Sequence, residues 1–261
     1  MSLTSNVKAA RRMLLSRLNA SPMALGNLGP VVSFCFDDFP ATAYRAGGAI
    51  LKNYGALGTY YAAMGLANTS NHLGDHFSSR DLDDLLHDGH ELGCHTFSHI
   101  SCRAFPLHAF EDDVRKGNAA VRELTGAEAV NFSYPFGHVT LAAKKKIGGL
   151  VLSSRGVYGG VNAPQADLNL LRANGLYGDV DSFNEMESLL SMNQKQKGWL
   201  IFYTHDVRPN PSKFGCTPEL LDKLVLESSR RGCPILTIGK VIESIQGGRT
   251  VMNAMACGSR A

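Results

Sequence analysis

Two adjacent carboxylates, Asp37 and Asp38, end the apolar run VVSFCF that begins at Val31. The run is typical of a buried strand, and Phe39-Pro40 would end it. Neighbouring side chains on a regular strand point to opposite faces, so a bend is needed to let both aspartates face one pocket. One carboxylate would then hold a cation while the other accepts a proton. The alternative is a solvated aspartate pair in a turn.

Two histidines, His95 and His99, form the sequence HTFSH after a second predicted strand. In one helical turn, residues four apart face the same way, so both imidazoles could reach a single ion. Together with Asp38 they would supply two nitrogens and one oxygen. Three protein ligands and an open position for water are the arrangement of a catalytic zinc site.

A second histidine pair with the same spacing, His72 and His76, lies in the polar segment 65–80. This rival metal pair has no helical apolar stripe around it, and Gly74 interrupts it. We therefore interpret these two residues as exposed loop histidines.

His205 follows the apolar run WLIFYT, residues 199–204. A histidine at the carboxyl end of a buried strand is placed to donate a proton near neutral pH. The adjacent Asp206 would point elsewhere and is expected to be structural. Trp199, at the start of the same strand, is expected in the core.

Apolar runs alternate with amphipathic segments along the whole chain. Strands are predicted at 31–37, 56–64, 91–95, 130–134, 150–154, 168–173, 199–204 and 234–238. Helices are predicted at 41–54, 81–88, 110–124, 141–147, 182–193, 218–230 and 240–245. Such alternation indicates an α/β fold with seven or eight parallel strands, which suits a single closed or partly closed (β/α) barrel. Active residues of such barrels lie at the carboxyl ends of strands, where the candidates above fall.

Composition narrows the class of protein. The 261 residues are 44% hydrophobic and 19% charged, an ordinary globular balance. A net charge of +3 without a dense basic tract gives no indication of nucleic-acid binding. No run approaches the roughly 18 apolar residues of a membrane span. The six cysteines are scattered without a C-x-x-C pair, which favours free thiols in a reducing compartment.

The chain divides into a lead-in at 1–29, the barrel at 30–246 and a tail at 247–261. The lead-in carries a basic amphipathic helix with apolar residues at helical spacing: Val7, Ala10, Met13, Leu14 and Leu18. We expect this helix to pack on the domain; the alternative is a membrane surface. Its longest apolar stretch is too short for a signal-peptide core, so a cytoplasmic location is expected.

Four motifs occur in a fixed order: FDD (36–38), HTFSH (95–99), FSYPFG (132–137) and IFYTH (201–205). In this set the chain resembles the polysaccharide deacetylases of the NodB-homology type, carbohydrate esterase family 4. The resemblance covers roughly residues 30–245. It implies a distorted (β/α) barrel and one divalent metal ion, usually Zn²⁺ although other divalent first-row metals are possible. The family hydrolyses N- or O-acetyl groups on sugars.

The resemblance also implies a role for individual residues. Asp37 would be the catalytic base, and Asp38, His95 and His99 would hold the metal. The backbone N–H of Phe136 would stabilise the oxyanion, and His205 would be the general acid. Tyr134 and Phe136 belong to the same motif as Pro135. Their rings would either stack on a sugar face or form ordinary apolar lining.

Two positions depart from the family pattern. Many members carry arginine where this chain has Ser133, and that arginine orients the base. Arg155 or Arg172 could take its place here, or either could be a surface or structural arginine. The family's aspartate-tryptophan motif is not legible, although Asp179 or Asp181 could partner His205.

The sequence therefore predicts a metal-dependent hydrolase that deacylates an amino sugar of a surface polysaccharide or its precursor. Two alternatives stay open: a hydrolase of non-sugar amides, and a non-catalytic glycan-binding module on the same fold. The motifs fix neither the sugar nor the oligomeric state.

Overall fold

Short parallel strands form the centre of the molecule. The computed structural model describes residues 14–247. The strands are β1 (Pro22–Ala24), β2 (Val31–Asp37), β3 (Thr59–Ala62), β4 (Ser70–Asn71), β5 (Gly74–Asp75), β6 (Glu91–Cys94), β7 (Asn131–Ser133), β8 (Ser153–Arg155), β9 (Gln165–Asp167), β10 (Asn174–Gly175) and β11 (Trp199–Thr204).

Helices alternate with these strands. They are α1 (Ala49–Asn53), α2 (Ser79–His87), α3 (Leu107–Thr125), α4 (Leu141–Ile147), α5 (Phe183–Gln196), α6 (Pro218–Arg230) and α7 (Ile238–Gln246). A π-helical segment, Ala43–Gly48, runs directly into α1. Helix α2 begins with a capping box between Ser78 and Asp81, and α6 begins with the Thr217 hydroxyl accepting from the Leu220 N–H. These side-chain caps satisfy backbone donors that a helix start leaves free.

Seven of the strands form one parallel sheet, in the order β10-β11-β2-β3-β6-β7-β8. The sheet is curled into a half-barrel with helices around it, so the predicted distorted (β/α) barrel of about seven parallel strands is confirmed. The two remaining pairs, β1 with β9 and β4 with β5, are antiparallel and lie outside this sheet.

The central strands β2 and β11 are buried along their whole length. A parallel strand covered on both faces reads as a continuous apolar run, which is why both could be located from sequence. Val32, Phe34 and Phe36 pack in the larger core cluster beneath the helices. Val31 and Cys35 belong to a second cluster with Trp199, which is fully buried as predicted. Asp37 lies an even number of positions after Val31 and Cys35, so its side chain points to the same face of β2 as theirs.

Three predicted strands are misplaced. In 168–173 only Leu171 makes an isolated parallel bridge, to Arg155, because the Asp167 carboxylate accepts from the Asn169 N–H and turns the chain after β9. In 234–238 only Ile235 makes an isolated bridge, to Val32, and Thr237 then caps α7. The strand predicted at 150–154 lies at 153–155, since the Leu150 N–H still bonds the Ile147 carbonyl at the end of α4.

The chain ends are described only in part. Residues 14–17 are helical and Leu15 is buried in the main core. Val7, Ala10 and Met13 of the predicted amphipathic helix, and the tail beyond 247, lie outside the described residues. The five cysteines within residues 14–247 are buried, and none of them forms a disulfide. None of the helices in this part of the chain is long and apolar enough to cross a membrane.

Candidate active site

A cleft of about 390 Å³ opens at the carboxyl ends of the central strands. This volume lies within the range typical of small-molecule sites. The lining includes six of the predicted site residues: Asp37, Asp38, His95, His99, Phe136 and His205. The rest of the lining is largely apolar and aromatic: His72, Leu73, Gly137, Val157, Tyr177, Tyr203 and Phe214. The cleft therefore joins carboxylates and imidazoles to apolar walls.

The bend expected after β2 is present. Asp38 and Phe39 both have left-handed backbone angles, with φ of +60° and +59°. Non-glycine residues seldom adopt this conformation, and when they do so they tend to cluster at functional sites. The bend lets Asp38, like Asp37, line the cleft instead of pointing to the opposite face of the sheet.

Asp38, His95 and His99 form a cluster in which each side chain offers one ligand atom within 4.8 Å of the others. The Asp38 Oδ1 lies 3.2 Å from the His95 Nε2 and 2.9 Å from the His99 Nε2. Asp38 and His95 are buried, whereas the His99 side chain is 19% exposed. This is the one group of its kind found among residues 14–247.

The two histidines meet through a bend, so the predicted helical turn is wrong. Thr96 and His99 have φ of +62° and +53°, which no α-helix allows. The intervening residues are held by Asp113 of α3, whose carboxylate accepts from the Phe97 and Ser98 N–H groups at 3.0 and 2.9 Å. Asp113 is a supporting residue that sequence reasoning missed, because nothing in its pattern distinguishes it from other polar residues of α3.

The donor set of this cluster fits a divalent metal. The His95 Nδ1 lies 2.7 Å from the Ser133 carbonyl oxygen, to which it can only donate. In the neutral imidazole this leaves the Nε2 lone pair directed at the Asp38 Oδ1, a buried atom without a hydrogen-bond partner in the described structure. Two converging lone pairs are what a cation site requires, and a carbonyl bond to the far nitrogen is the usual way to orient a histidine ligand.

Arg155 lies against the predicted base. Its Nη2 donates to the Asp37 carboxylate and, at 2.8 Å, to the Ser133 hydroxyl. The guanidinium is completely buried. Arg172, the other predicted candidate, is exposed and donates to the Gly159 carbonyl instead. Because the Ser133 side chain is small, it leaves space for the side chain of Arg155, which extends there from the next strand.

The charge of Asp37 follows from this contact. Burial raises the pKa of Asp37, but the Arg155 guanidinium and nearby His95 and His205 lower it more, so that the pKa lies below its ordinary value. The carboxylate is therefore ionised at neutral pH. Burial correspondingly opposes the charge of Arg155, and Asp37 outweighs it, which leaves the arginine pKa above its ordinary value.

His205 bonds a backbone carbonyl and not a carboxylate. Its Nδ1 lies 3.1 Å from the Phe214 oxygen. Asp179, one of the predicted partners, instead accepts from the Asp181 N–H at the start of the 3₁₀ helix Val180–Ser182. The adjacent Asp206 is fully buried, lies outside the cleft lining and is bonded within its own loop.

The FSYPFG motif contributes one side chain to the cleft. The Phe136 ring is 60% exposed and its centroid lies 4.5 Å from that of His99. Tyr134 is 1% exposed and packs edge-on against Phe132, which favours the alternative of ordinary apolar lining for this residue. Tyr134 shares the strand face of Phe132, and this face belongs to the core. Pro135 is buried and begins the 3₁₀ turn that presents Phe136.

The rival histidines lie at different places around the β4–β5 hairpin: His72 is in its turn and His76 directly follows β5. His72 is exposed and lines the cleft, whereas His76 is 3% exposed, so the expectation of two exposed histidines is wrong for His76. His76 is buried because its segment docks on the chain after Asp38, through a bridge to Pro40 and a bond from the Phe77 N–H to the Phe39 carbonyl. Neither histidine joins the Asp38 cluster.

Several lining residues were missed. Tyr203 points to the same face of β11 as Trp199 and Ile201, the face toward the barrel interior. The alternation of side chains along a strand could have predicted this orientation. Tyr177, Val157 and Phe214 lie in irregular segments, where no periodicity indicates which way a side chain faces.

Comparison with known folds gives distant but extensive matches. The Xyl-CE4 domain of a multidomain xylanase from the hindgut metagenome of Trinervitermes trinervoides has a TM-score of 0.58 at 15% identity, over 83% of this chain and 91% of the other. PdaA of Bacillus subtilis, a family 4 carbohydrate esterase, has a TM-score of 0.57 at 15% identity, over 89% of this chain and 88% of the other. A family 4 acetyl xylan esterase from Clostridium thermocellum, in complex with a cobalt ion, has a TM-score of 0.56 at 18% identity, over 82% of this chain and 90% of the other. At such identities the matches establish a common fold.

No curated protein matches the sequence. Residues 26–149, nearly half of the chain, match the family model described as polysaccharide deacetylase. This segment contains Asp37, Asp38, His95, His99 and Phe136. The sequence match and the shared fold together confirm the predicted resemblance: the chain is similar to the polysaccharide deacetylases of the NodB-homology type, carbohydrate esterase family 4.

Proposed function

We propose that this protein is a metal-dependent deacetylase, which removes an N-acetyl or related acyl group from an amino sugar of a surface polysaccharide or its precursor. One observation carries the proposal. A three-residue donor cluster, an ionised carboxylate and a histidine line a single cleft at the strand ends. The match of residues 26–149 to the polysaccharide deacetylases supports the same activity.

Asp38, His95 and His99 would hold the metal, which we propose to be Zn²⁺ or another divalent first-row ion. Once bound there, the ion supplies Lewis-acid polarisation of the acyl carbonyl and lowers the pKa of a coordinated water to about 7. Support for this assignment comes from the nitrogen and oxygen donors themselves and from the cobalt ion in the acetyl xylan esterase of similar fold.

Asp37 would act as the general base. Its carboxylate is ionised and fixed by Arg155, so it can accept the proton of the attacking water as the new C–O bond forms. Arg155 is a positioning residue here, since it contacts the base and is itself buried away from the cleft lining. Ser133 completes the arrangement by accepting from the same guanidinium nitrogen.

The Phe136 backbone N–H would stabilise the oxyanion of the tetrahedral intermediate, as the family resemblance implies. His205 would then protonate the departing sugar amine, because an amide anion is too poor a leaving group to depart unassisted. Its Nδ1–H is held by the Phe214 carbonyl, which leaves Nε2 to carry the transferred proton. The exposed Phe136 ring is placed to contact a sugar face.

Elemental analysis of the purified protein, followed by assays of acetate release, tests this function. The panel pairs N-acetylated monosaccharides, oligosaccharides and polymers with small cyclic and linear amides. We expect one divalent ion per chain and acetate release from N-acetylated sugars. Asp37→Asn should retain the ion and lose about a thousandfold in kcat, whereas Asp222→Asn, whose amide oxygen can still accept from the Tyr54 hydroxyl, should match the wild type.

Other results would redirect the assignment. Turnover of non-sugar amides alone would identify a different hydrolase that uses the same groups. Bound metal and measurable glycan affinity without hydrolysis would identify a binding module. The proposed cytoplasmic location is tested separately, by fractionation of cells that express the protein.

A further inference from the structure

The loop 206–216 follows β11 and encloses the buried carboxylate of Asp206. This carboxylate is fully buried. Its Oδ1 accepts from the Ser212 hydroxyl at 2.5 Å and its Oδ2 from the Ser212 N–H at 2.8 Å. The Arg208 Nε lies 2.7 Å from the same Oδ2. The loop is thus folded around one buried side chain.

Ser212 passes this constraint to Phe214 and Gly215. Its hydroxyl accepts from the Phe214 N–H at 3.2 Å, and its carbonyl accepts from the Gly215 N–H at 3.0 Å. Gly215 lies directly over the carboxylate, since a Cβ there would be 2.4 Å from the Asp206 Oδ1. The position of the Phe214 peptide is therefore set by Asp206.

The Phe214 carbonyl in turn holds His205. It accepts from the His205 Nδ1 at 3.1 Å, the His205 N–H at 3.1 Å and the Thr204 hydroxyl at 3.3 Å. The Phe214 ring also packs on the imidazole, with centroids 5.5 Å apart. Because a carbonyl can only accept, this contact keeps a proton on Nδ1 and leaves Nε2 as the nitrogen that exchanges protons with the cleft.

We propose that Asp206 is the positioning residue for His205, acting through Ser212 and the Phe214 carbonyl. Through these contacts the loop 206–216 fixes the orientation and the tautomer of the His205 imidazole, as a carboxylate bonded directly to the ring would do. This inference rests on the proposed role of His205 as general acid, and it adds two residues, Asp206 and Ser212, to the groups on which proton donation depends.

The test uses Asp206→Asn and Ser212→Ala in the full chain. The matched control is Asp81→Asn, because Asp81 is also a buried carboxylate bonded to a serine and an arginine, Ser78 and Arg45, but lies outside the cleft lining. Each protein is assayed on an N-acetylated sugar and on p-nitrophenyl acetate, whose phenolate leaves without protonation. The ¹⁵N-histidine NMR spectrum reports the His205 tautomer, with His205→Gln to assign its signals.

We expect kcat on the N-acetylated sugar to fall about tenfold or more in both loop variants, and aryl ester hydrolysis to change by no more than about twofold. We also expect the His205 spectrum to change from one Nδ1–H tautomer to a mixture. Asp81→Asn should show neither effect. Equal losses on both substrates, or an unchanged tautomer in both loop variants, would overturn the proposal. If the wild type releases no acetate from any sugar, the proposed function fails, and the tautomer alone still decides the role of Asp206.

Discussion

The Arg155 guanidinium pairs with the Asp37 carboxylate inside the barrel, although three strands of the sheet separate β8 from β2. The curl of the sheet brings the two residues together. The guanidinium also lies over the rings of Tyr61 and Tyr203, 5.0 and 4.7 Å from their centroids. One buried ion pair thus links the closure of the barrel to the charge state of the proposed base.

Replacement of Arg155 should therefore affect stability as well as activity. Arg155→Met leaves Asp37 buried without its cation, and breaking such a pair costs about 3–5 kcal/mol of the free energy of unfolding. Arg155→Lys should recover only part of the loss, because one ammonium cannot reproduce the planar contact with Asp37 and Ser133. Urea denaturation and acetate release measure the two effects.

Arg172 provides the matched control, since it is an exposed arginine that bonds a backbone carbonyl. Arg172→Met should change the free energy of unfolding by no more than about 0.5 kcal/mol. Similar losses in Arg155→Met and Arg172→Met would show that the ion pair with Asp37 carries no special weight.

Removal of a metal ligand should abolish tight metal binding. We expect His95→Ala and Asp38→Ala to purify without the ion that the wild type retains, because each deletes one of three donors. An ion present at a hundred times its Kd stabilises the folded state by about 2.7 kcal/mol, so a chelator should lower the Tm of the wild type and leave that of the variants unchanged. His72→Ala, outside the cluster, should keep the ion; its loss there would place His72 among the ligands.

His90 should make stability depend on pH. Burial lowers its pKa below the ordinary value, and its Nδ1 accepts from the Gly58 N–H at 3.0 Å, a bond that only the unprotonated nitrogen can make. The unfolded chain therefore binds the proton at a higher pH than the folded one. This contribution is present above about pH 6.5 and is lost as the pH falls below that, by at most about 1.4 kcal/mol per pH unit.

The measurement is urea denaturation between pH 5 and pH 7.5 for the wild type and His90→Asn. The asparagine oxygen can take the place of Nδ1 without titrating, although the ring contacts with Tyr44 and Tyr60 are lost. The variant should be less stable at pH 7.5 but should lose less stability on acidification. Identical slopes would mean that His90 is not protonated on unfolding in this range.

Features set by local sequence could be predicted, and those set by distant contacts could not. The continuous apolar run of β11 and the Thr217-Pro218 start of α6 gave both elements their observed bounds. The run 168–173 is apolar apart from Asn169 and Arg172. The Asp167 carboxylate before it also bonds the distant Ser21 N–H and the Lys144 ammonium, and such long-range competition is not visible in hydrophobic periodicity.

The site shows the same division. Strand ends indicated where Asp37, Asp38, His95 and His205 would meet, since carboxyl ends of parallel strands share one edge. The partner of His205 could not be predicted, because a backbone carbonyl has no sequence signature. Nor could the sequence choose between Arg155 and Arg172, a choice that depends on how far the sheet curls.

Gly137 should control the position of the Phe136 amide. It has φ of +61°, and a Cβ there would lie 2.1 Å from a Val157 methyl group. Gly137→Ala must displace either Val157 or the 3₁₀ turn, and a shift of about 1 Å in a catalytic group can cost about a hundredfold in rate. Adding Val157→Ala removes the colliding methyl groups and leaves a 3.0 Å contact with the Cβ of residue 157. The backbone strain of about 1–2 kcal/mol also remains, so only part of kcat should return.

Gly126→Ala separates strain from position. Gly126 also has a positive φ, +75°, but no atom lies within 4 Å of its added Cβ, and it ends α3 away from the cleft lining. This variant should lose stability to urea by a similar 1–2 kcal/mol while keeping kcat, because only the backbone preference is violated. If a crystal structure showed the 3₁₀ turn displaced in Gly137→Ala and this variant were still as active as Gly126→Ala, the Phe136 amide could not be the oxyanion donor, since its placement would then not matter to the rate.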